Sequence, residues 1–258
     1  MKVGLVITNH YSKNLRPYGR DLLNRLLKSI VDHVNFEYKI FIVDNGSDTK
    51  LDFLGNKIVH YTYIEDQFER GLTGAWNEGI KEASRAGCDI ILNSNDDLVF
   101  NETINDFVAH IQDSKFSDMS VFGPLTNGVE TPYLLTQYSE KPNPLMTREI
   151  LNEKKSDGLI NGFFFGFTNN FYKKFMYDNG DLFAEFDKFD KDYILKHAFA
   201  DGKWGGQEGE FFRWKELGAK VFVVGECWID HLKKKDWYLA RCLSEEFGWH
   251  LDEGYENE

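Results

Sequence analysis

Short apolar runs alternate with amphipathic stretches through the first half of the chain, the signature of βα units around a mainly parallel sheet. Val3 to Ile7 reads as a buried first strand. Beyond Pro17, the positions Leu22, Leu23, Leu26, Leu27, Ile30, Val31 and Val34 recur at helical spacing and predict one apolar stripe. Ile40 to Val43 is a second strand, ending in the turn formers Asp44-Asn45-Gly46-Ser47-Asp48. Ile58 to Ile64 predicts a third strand, Gly71 to Ala86 a second helix, and Asp89 to Leu92 a fourth strand that runs into Asn93-Ser94-Asn95-Asp96-Asp97. The second half is less regular. It predicts a helix over Thr103 to Ile111, a strand over Val121 to Gly123 and a glycine-punctuated strand over Leu159 to Phe167. A helix over Glu208 to Leu217, closed by Gly218, and a strand over Val221 to Val224 complete the pattern.

Two polar, acidic loops therefore follow strands. In open α/β sheets ligands bind outside the carboxyl ends of the strands, so both loops are candidate ligand contacts.

Composition narrows the ligand. The 258 residues hold 30 basic and 42 acidic side chains, a net charge of −12, which argues against a nucleic-acid backbone as the main partner. With 42% hydrophobic and 28% charged residues the chain has apolar mass for a substantial core. No apolar run approaches the roughly 20 residues of a transmembrane helix. The opening strand reaches Asn9-His10 too soon for a signal peptide, so a soluble, cytoplasmic protein is expected. Cys88, Cys227 and Cys242 are odd in number and lack CxxC spacing, and reduced thiols are expected.

Asn95-Asp96-Asp97 carries the most chemistry. Adjacent carboxylates beyond a strand suit a hard divalent cation shared with phosphate oxygens, and the alternative is a solvated helix N-cap ahead of Thr103. Asp44 reads either as an acceptor for a ribose or base, or as part of an Asx-rich turn. In Trp204-Gly205-Gly206-Gln207-Glu208-Gly209-Glu210, paired glycines precede two carboxylates at a helix start, and either Glu208 or Glu210 is placed to act as a general base. Gly162 allows close approach of a ligand or another backbone. His231 gains a role only if the sheet folds it back onto Asp97. Phe163, Phe164, Trp204 and Trp237 read as core aromatics first and as stacking faces for a ligand ring second; Lys233-Lys234-Lys235 is either a lid or a solvated basic face.

Four segments, Val3 to Asn9, Ile42 to Asp48, Gly71 to Ile80 and Ile91 to Asp97, together resemble the ordered series of GT-A glycosyltransferases of the large inverting family 2. Trp204 to Glu208 is similar to the Trp-Gly-Gly-Glu-Asp segment of related galactosyltransferases, and His231 lies where such enzymes place a late metal-binding His. The resemblance implies an α/β GT-A fold with a mainly parallel central sheet flanked by helices. It implies a glycosyltransferase domain over 1–225, with a nucleotide-binding half at about 1–100 and an acceptor half at about 101–225, and an extension over 226–258 packed on the same domain. Carried over by position, Asp97 and His231 hold Mn²⁺ or Mg²⁺. Thr8 and Asp44 hold the nucleoside, Arg70 meets the diphosphate, Asn95, Asp96 and Gly162 line the donor site, and Glu208, with Glu210 as rival, is the base. Two positions depart from the pattern: Asn95 replaces the first acid of the DxD motif, and Gln207 replaces the Glu before the base.

The implied reaction moves a hexose or pentose from a nucleotide-diphosphate sugar to a saccharide or glycan hydroxyl, with inversion, in glycan biosynthesis. The implied partners are the nucleotide-sugar donor and the glycan acceptor, without nucleic acid or a transmembrane segment. The alternative is a catalytically silent carbohydrate- or nucleotide-binding protein of the same fold, which Asn95 and Gln207 favour. A nicotinamide dehydrogenase is excluded because no GxGxxG separates the first strand from the first helix. Thr8-Asn9-His10-Tyr11 is likewise not the Gly-rich basic loop of a sugar-nucleotide pyrophosphorylase.

Overall fold

The computed structural model describes residues 1–14, 16–51, 58–65, 67–127, 137–151, 160–184 and 205–232. Along them run β1 (Val3–Asn9), α1 (Gly19–His33), β2 (Tyr38–Asn45), β3 (Ile58–Ile64), α2 (Gln67–Arg85), β4 (Ile90–Asn95) and β5 (Leu98–Val99). They are followed by α3 (Ile104–Asp113), β6 (Ser120–Thr126), β7 (Arg148–Glu149), β8 (Phe164–Thr168), α4 (Asn169–Phe175), α5 (Gly205–Glu216) and β9 (Lys220–His231).

The strands form one mixed sheet in the order β3-β2-β1-β4-β8-β6-β9-β5, with β7 also paired to β9. The strands β1 to β4 are mutually parallel, and β6 and β9 share their direction because β8 runs antiparallel to both β4 and β6. Six strands therefore point one way, as expected of a mainly parallel sheet. The order steps outward from β1 through β2 to β3 and then restarts on the other side of β1 with β4. That reversal opens a crevice at the carboxyl ends of β1 and β4, where ligands settle in open α/β sheets.

Strand alternation divides the core into two layers. Val3, Leu5 and Ile7 face the α1 and α3 side, against Leu23, Leu26, Ile30, Phe107 and Ile111. Val6, Ile91 and Phe165 face the opposite side, against Trp76 and Ile80 of α2, Phe171 and Phe175 of α4, and Phe211 and Trp214 of α5. Aromatic edges interlock there, with Trp76 lying 5.6 Å from Phe165 and 5.3 Å from Phe183.

Several elements differ from the sequence pattern. Val31 is 67% exposed, off the stripe of α1, because the buried face runs through Leu22, Leu23, Leu26 and Ile30. The helix α2 begins at Gln67, but Gly71 has φ +63° and kinks it, so the regular helix starts where predicted. Gly205 and Gly206 form the first turn of α5 instead of a loop before it. The last strand is twelve residues long and runs through residue 225 to His231. Phe164 is a core residue, 5.3 Å from Phe100 and 5.4 Å from Phe107. Trp204, Lys233, Lys234, Lys235, Trp237 and Cys242 lie outside the described residues. Cys88 and Cys227 are buried free thiols, and burial raises the pKa of both, which keeps them protonated and unreactive. Among the described residues no helix is long and apolar enough to cross a membrane.

Candidate active site

The ends of β1, β2 and β4 come together by register: Asn9 pairs with Asp44, and Thr8 with both Val43 and Asn95. Two predicted loops and the end of the first strand thus meet in one place. The loops after β1 and β2 are stitched to each other, since Tyr11 N donates to Ser47 Oγ at 2.9 Å and Asp48 N to Tyr11 O at 2.9 Å. His10 Nδ1 lies 2.9 Å from Asn45 O. Gly19 closes the other side of the first loop. A Cβ there would lie 2.2 Å from the His10 carbonyl oxygen, so only glycine permits this entry into α1.

Asp44 is fully buried. Its carboxylate accepts from Tyr61 Oη at 2.8 Å, from Ser47 Oγ, and from the Arg20 guanidinium at 3.4 Å. Burial, reinforced by the Asp44 carboxylate, pushes the Tyr61 phenol up to about 12, so this hydroxyl stays a donor at neutral pH. Arg20 reaches further, donating to Asn9 Oδ1 at 2.6 Å and to Thr49 O, and its guanidinium lies 5.2 Å from the Tyr11 ring centroid.

The two carboxylates of the acidic loop take separate directions. Asp96 turns toward α1, where Arg16 holds it with two bonds of 2.6 and 2.7 Å and Asn9 Nδ2 donates at 2.6 Å. Asp97 turns the other way, toward the end of β9. There Leu98 pairs with His231 in antiparallel register, and Leu232 N donates to Asp97 O at 2.8 Å. This folds His231 back so that its Nε2 lies 3.5 Å from Asp97 Oδ2. Phe163 stacks on the imidazole at 4.6 Å, and Asn127 Oδ1 accepts from His231 N at 2.9 Å. Gly162 is in the turn before β8, next to Phe163, whose carbonyl accepts from Asn95 N at 2.8 Å.

Several buried polar atoms at these strand ends have no hydrogen-bond partner among the described residues: Thr8 Oγ1, Asn45 Oδ1, Asn95 Oδ1 and both side-chain atoms of Asn93. Such groups cost about 1–3 kcal/mol each when left unsatisfied, so their clustering fits a site that a polar ligand completes.

The donor set at the end of β4 also fits a divalent cation. It offers the Asp97 carboxylate and the His231 imidazole, a mixed oxygen and nitrogen pair that suits Mn²⁺ better than the all-oxygen preference of Mg²⁺. No three His, Cys, Asp or Glu side chains converge among the described residues. A cation there would take its remaining ligands from phosphate oxygens.

Glu210 is buried and engaged. Its carboxylate accepts from Tyr177 Oη at 2.7 Å, Ala184 N at 3.0 Å and Arg213 Nε, while Arg213 also donates to Phe175 O at 2.7 Å. Glu208 lies on the first turns of α5 and Arg70 on α2 just before the Gly71 kink, and their side chains lie outside the described part of the structure. The sequence reading missed Arg16, Arg20, Asn9 and Tyr61. The available signal was a pair of arginines four residues apart at the entry to α1 in a strongly acidic chain.

The mixed sheet with its switch-point crevice, the acidic loop after the fourth strand and the late histidine folded onto it make up an α/β fold of the GT-A class. Residues 13–176, more than half of the chain, match the model of Glycosyl transferase family 2, and the chain belongs to that family.

Solved structures agree on the fold. The crystal structure of S. aureus TarS 1–349 superposes with a TM-score of 0.58 at 17% identity, covering 94% of this chain and 64% of that one. The same TarS fragment in complex with UDP-GlcNAc gives 0.53 at 16%, covering 94% and 65%. GalNAc-T7 with UDP, GalNAc and Mn²⁺ gives 0.53 at 15%, covering 90% and 44%. The chain thus spans less than two thirds of the structures it resembles. Comparison with curated protein sequences finds no match.

Proposed function

We propose that this chain transfers a hexose or pentose from a nucleoside-diphosphate sugar to a hydroxyl of a saccharide acceptor, with inversion at C1, as a step in glycan biosynthesis. The observation that carries the reading is the approach of His231 to Asp97 at the crevice between β1 and β4. UDP-sugars are the first donors to test, since the TarS and GalNAc-T7 structures hold UDP or UDP-GlcNAc.

In this reading the nucleoside lies over the ends of β1 and β2, at Thr8 and Asp44, with Arg70 near the diphosphate and Asn95 and Gly162 along the donor. Asp97 and His231 hold a divalent cation, Mn²⁺ in preference to Mg²⁺, which when bound offsets the charge that develops on the leaving diphosphate. The acceptor hydroxyl attacks C1 from the face opposite the diphosphate, the C1–O bond to the diphosphate breaks, and Glu208 takes the hydroxyl proton. The commitment of both Glu210 oxygens to Arg213, Tyr177 and Ala184 supports Glu208 as the base. One domain carries this machinery, with the donor half at about 1–100 and β9 running through residue 225 to bring in His231, whereas 233–258 lie outside the described residues.

Asn95 and Gln207 favour a second reading, a binder that keeps the fold without the chemistry. A panel of nucleotide sugars with Mn²⁺ separates the two: the transferase releases nucleoside diphosphate slowly to water and faster with an acceptor, whereas the binder releases none. Absence of both release and donor binding across the panel overturns the proposal.

A further inference from the structure

The acidic loop carries two adjacent carboxylates, but the structure presents only one of them to the cation position. Asp96 is 3% exposed in its side chain and spends both oxygens on Arg16, with Asn9 Nδ2 at 2.6 Å and His10 N at 3.4 Å as further donors. A two-armed guanidinium–carboxylate pair at 2.6 and 2.7 Å is the strongest form of this interaction and fixes the direction of the carboxylate. Arg16 is itself placed by the loop. Its backbone N donates to Ser12 O at 2.9 Å, Gly19 N donates to its carbonyl at 3.1 Å, and its Nη1 donates to His10 O at 3.0 Å.

We infer that Arg16 is a positioning residue that withdraws Asp96 from the cation site and cancels its charge. The protein's own ligands are then the Asp97 carboxylate and neutral donors. This rests on the proposed cation site at Asp97 and His231. Affinity for a hard cation rises with the number of charged ligands, and one carboxylate beside an imidazole is a poor site for a bare cation. The cation therefore enters as its complex with the nucleoside diphosphate, whose oxygens complete the set. A second carboxylate released beside Asp97 would instead let the free protein hold the cation without nucleotide.

The test counts free Mn²⁺ by its electron paramagnetic resonance signal, with protein alone and with protein plus UDP, and circular dichroism confirms the fold of each variant. The wild type is expected to leave Mn²⁺ free until UDP is added. Arg16→Met is expected to tighten nucleotide-free Mn²⁺ binding by about tenfold or more, and Arg16→Met with Asp96→Asn to return it to the wild-type value. No tightening in a folded Arg16→Met protein overturns the inference, as does tightening that persists in the double variant. Should Arg16→Met not fold, the double variant decides: Mn²⁺–UDP affinity near wild type supports the withdrawal of Asp96, and a loss of about tenfold makes Asp96 a ligand and overturns it. Asp97→Asn separates the levels. Unchanged Mn²⁺–UDP binding in that variant overturns the cation site and this inference together, whereas lost binding leaves the Arg16 result to stand or fall alone.

Discussion

Glu208 and Glu210 lie two positions apart on α5, about 200° around the helix, so they cannot face the same cleft. Glu210 looks inward and ties α5 to the segment 175–184 through Arg213 and Tyr177. Glu208→Gln is expected to cut transfer by about 10²–10⁴-fold with donor affinity near wild type, as for loss of a positioned base. Glu210→Gln is expected instead to lower stability by about 1–3 kcal/mol, because it weakens a buried, charge-assisted set of hydrogen bonds. Steady-state transfer, calorimetric donor affinity and a denaturant midpoint for each variant check this, and the roles reverse if Glu210→Gln is the folded but inactive one. Asp44 and Asp97 were legible as candidates because carboxylates after strands stand out in an α/β pattern, and Glu208 because it follows paired glycines at a helix start. Arg16 and Arg20 were not, since the Arg16–Asp96 contact spans 80 residues and no local period encodes it.

The parallel strands and the helices α1 to α3 were legible because apolar periodicity fixes a buried face wherever an element packs on one side. Element ends were not, where tertiary pairing decides: β9 extends to His231 only because β6 and then β5 pair with it. On the proposed function the donor side depends on the loop from β1 into α1, which Gly19 closes against the His10 carbonyl oxygen. Gly19→Ala places a methyl group against a backbone carbonyl, so it is expected to lower the melting temperature and weaken nucleoside diphosphate binding together. Unchanged calorimetric affinity would show that the loop does not shape the donor site. Across β2 and β3, Tyr61 donates to Asp44 and has its pKa raised to about 12 from an ordinary value near 10. Because the folded state holds this proton more tightly, its contribution is complete below about pH 10 and is lost as pH rises from there to about 12. Thermal melts over that range should fall more steeply for wild type than for Tyr61→Phe, and parallel slopes would remove Tyr61 as a source of alkaline sensitivity.

Across the whole molecule, strongly acidic composition and the proposed phosphate-rich donor are reconciled by local charge. Arg16 answers Asp96, Arg20 answers Asp44, and the remaining Asp97 is set beside His231 by the far end of the sheet. The site thus draws its parts from β1, β2, β4 and β9, strands that are distant in sequence and gathered by one sheet whose order reverses beside β1. On the proposed function, a nucleotide-sugar donor is bound and cleaved through Asp97 at this crevice. Nucleoside diphosphate release from a panel of nucleotide sugars, measured with Mn²⁺ and with EDTA for wild type and Asp97→Asn, tests it most directly. Release by the wild type is expected with Mn²⁺ only, reduced by about 10²-fold or more in Asp97→Asn. Equal release in all conditions, or no binding or release with any donor, would contradict it.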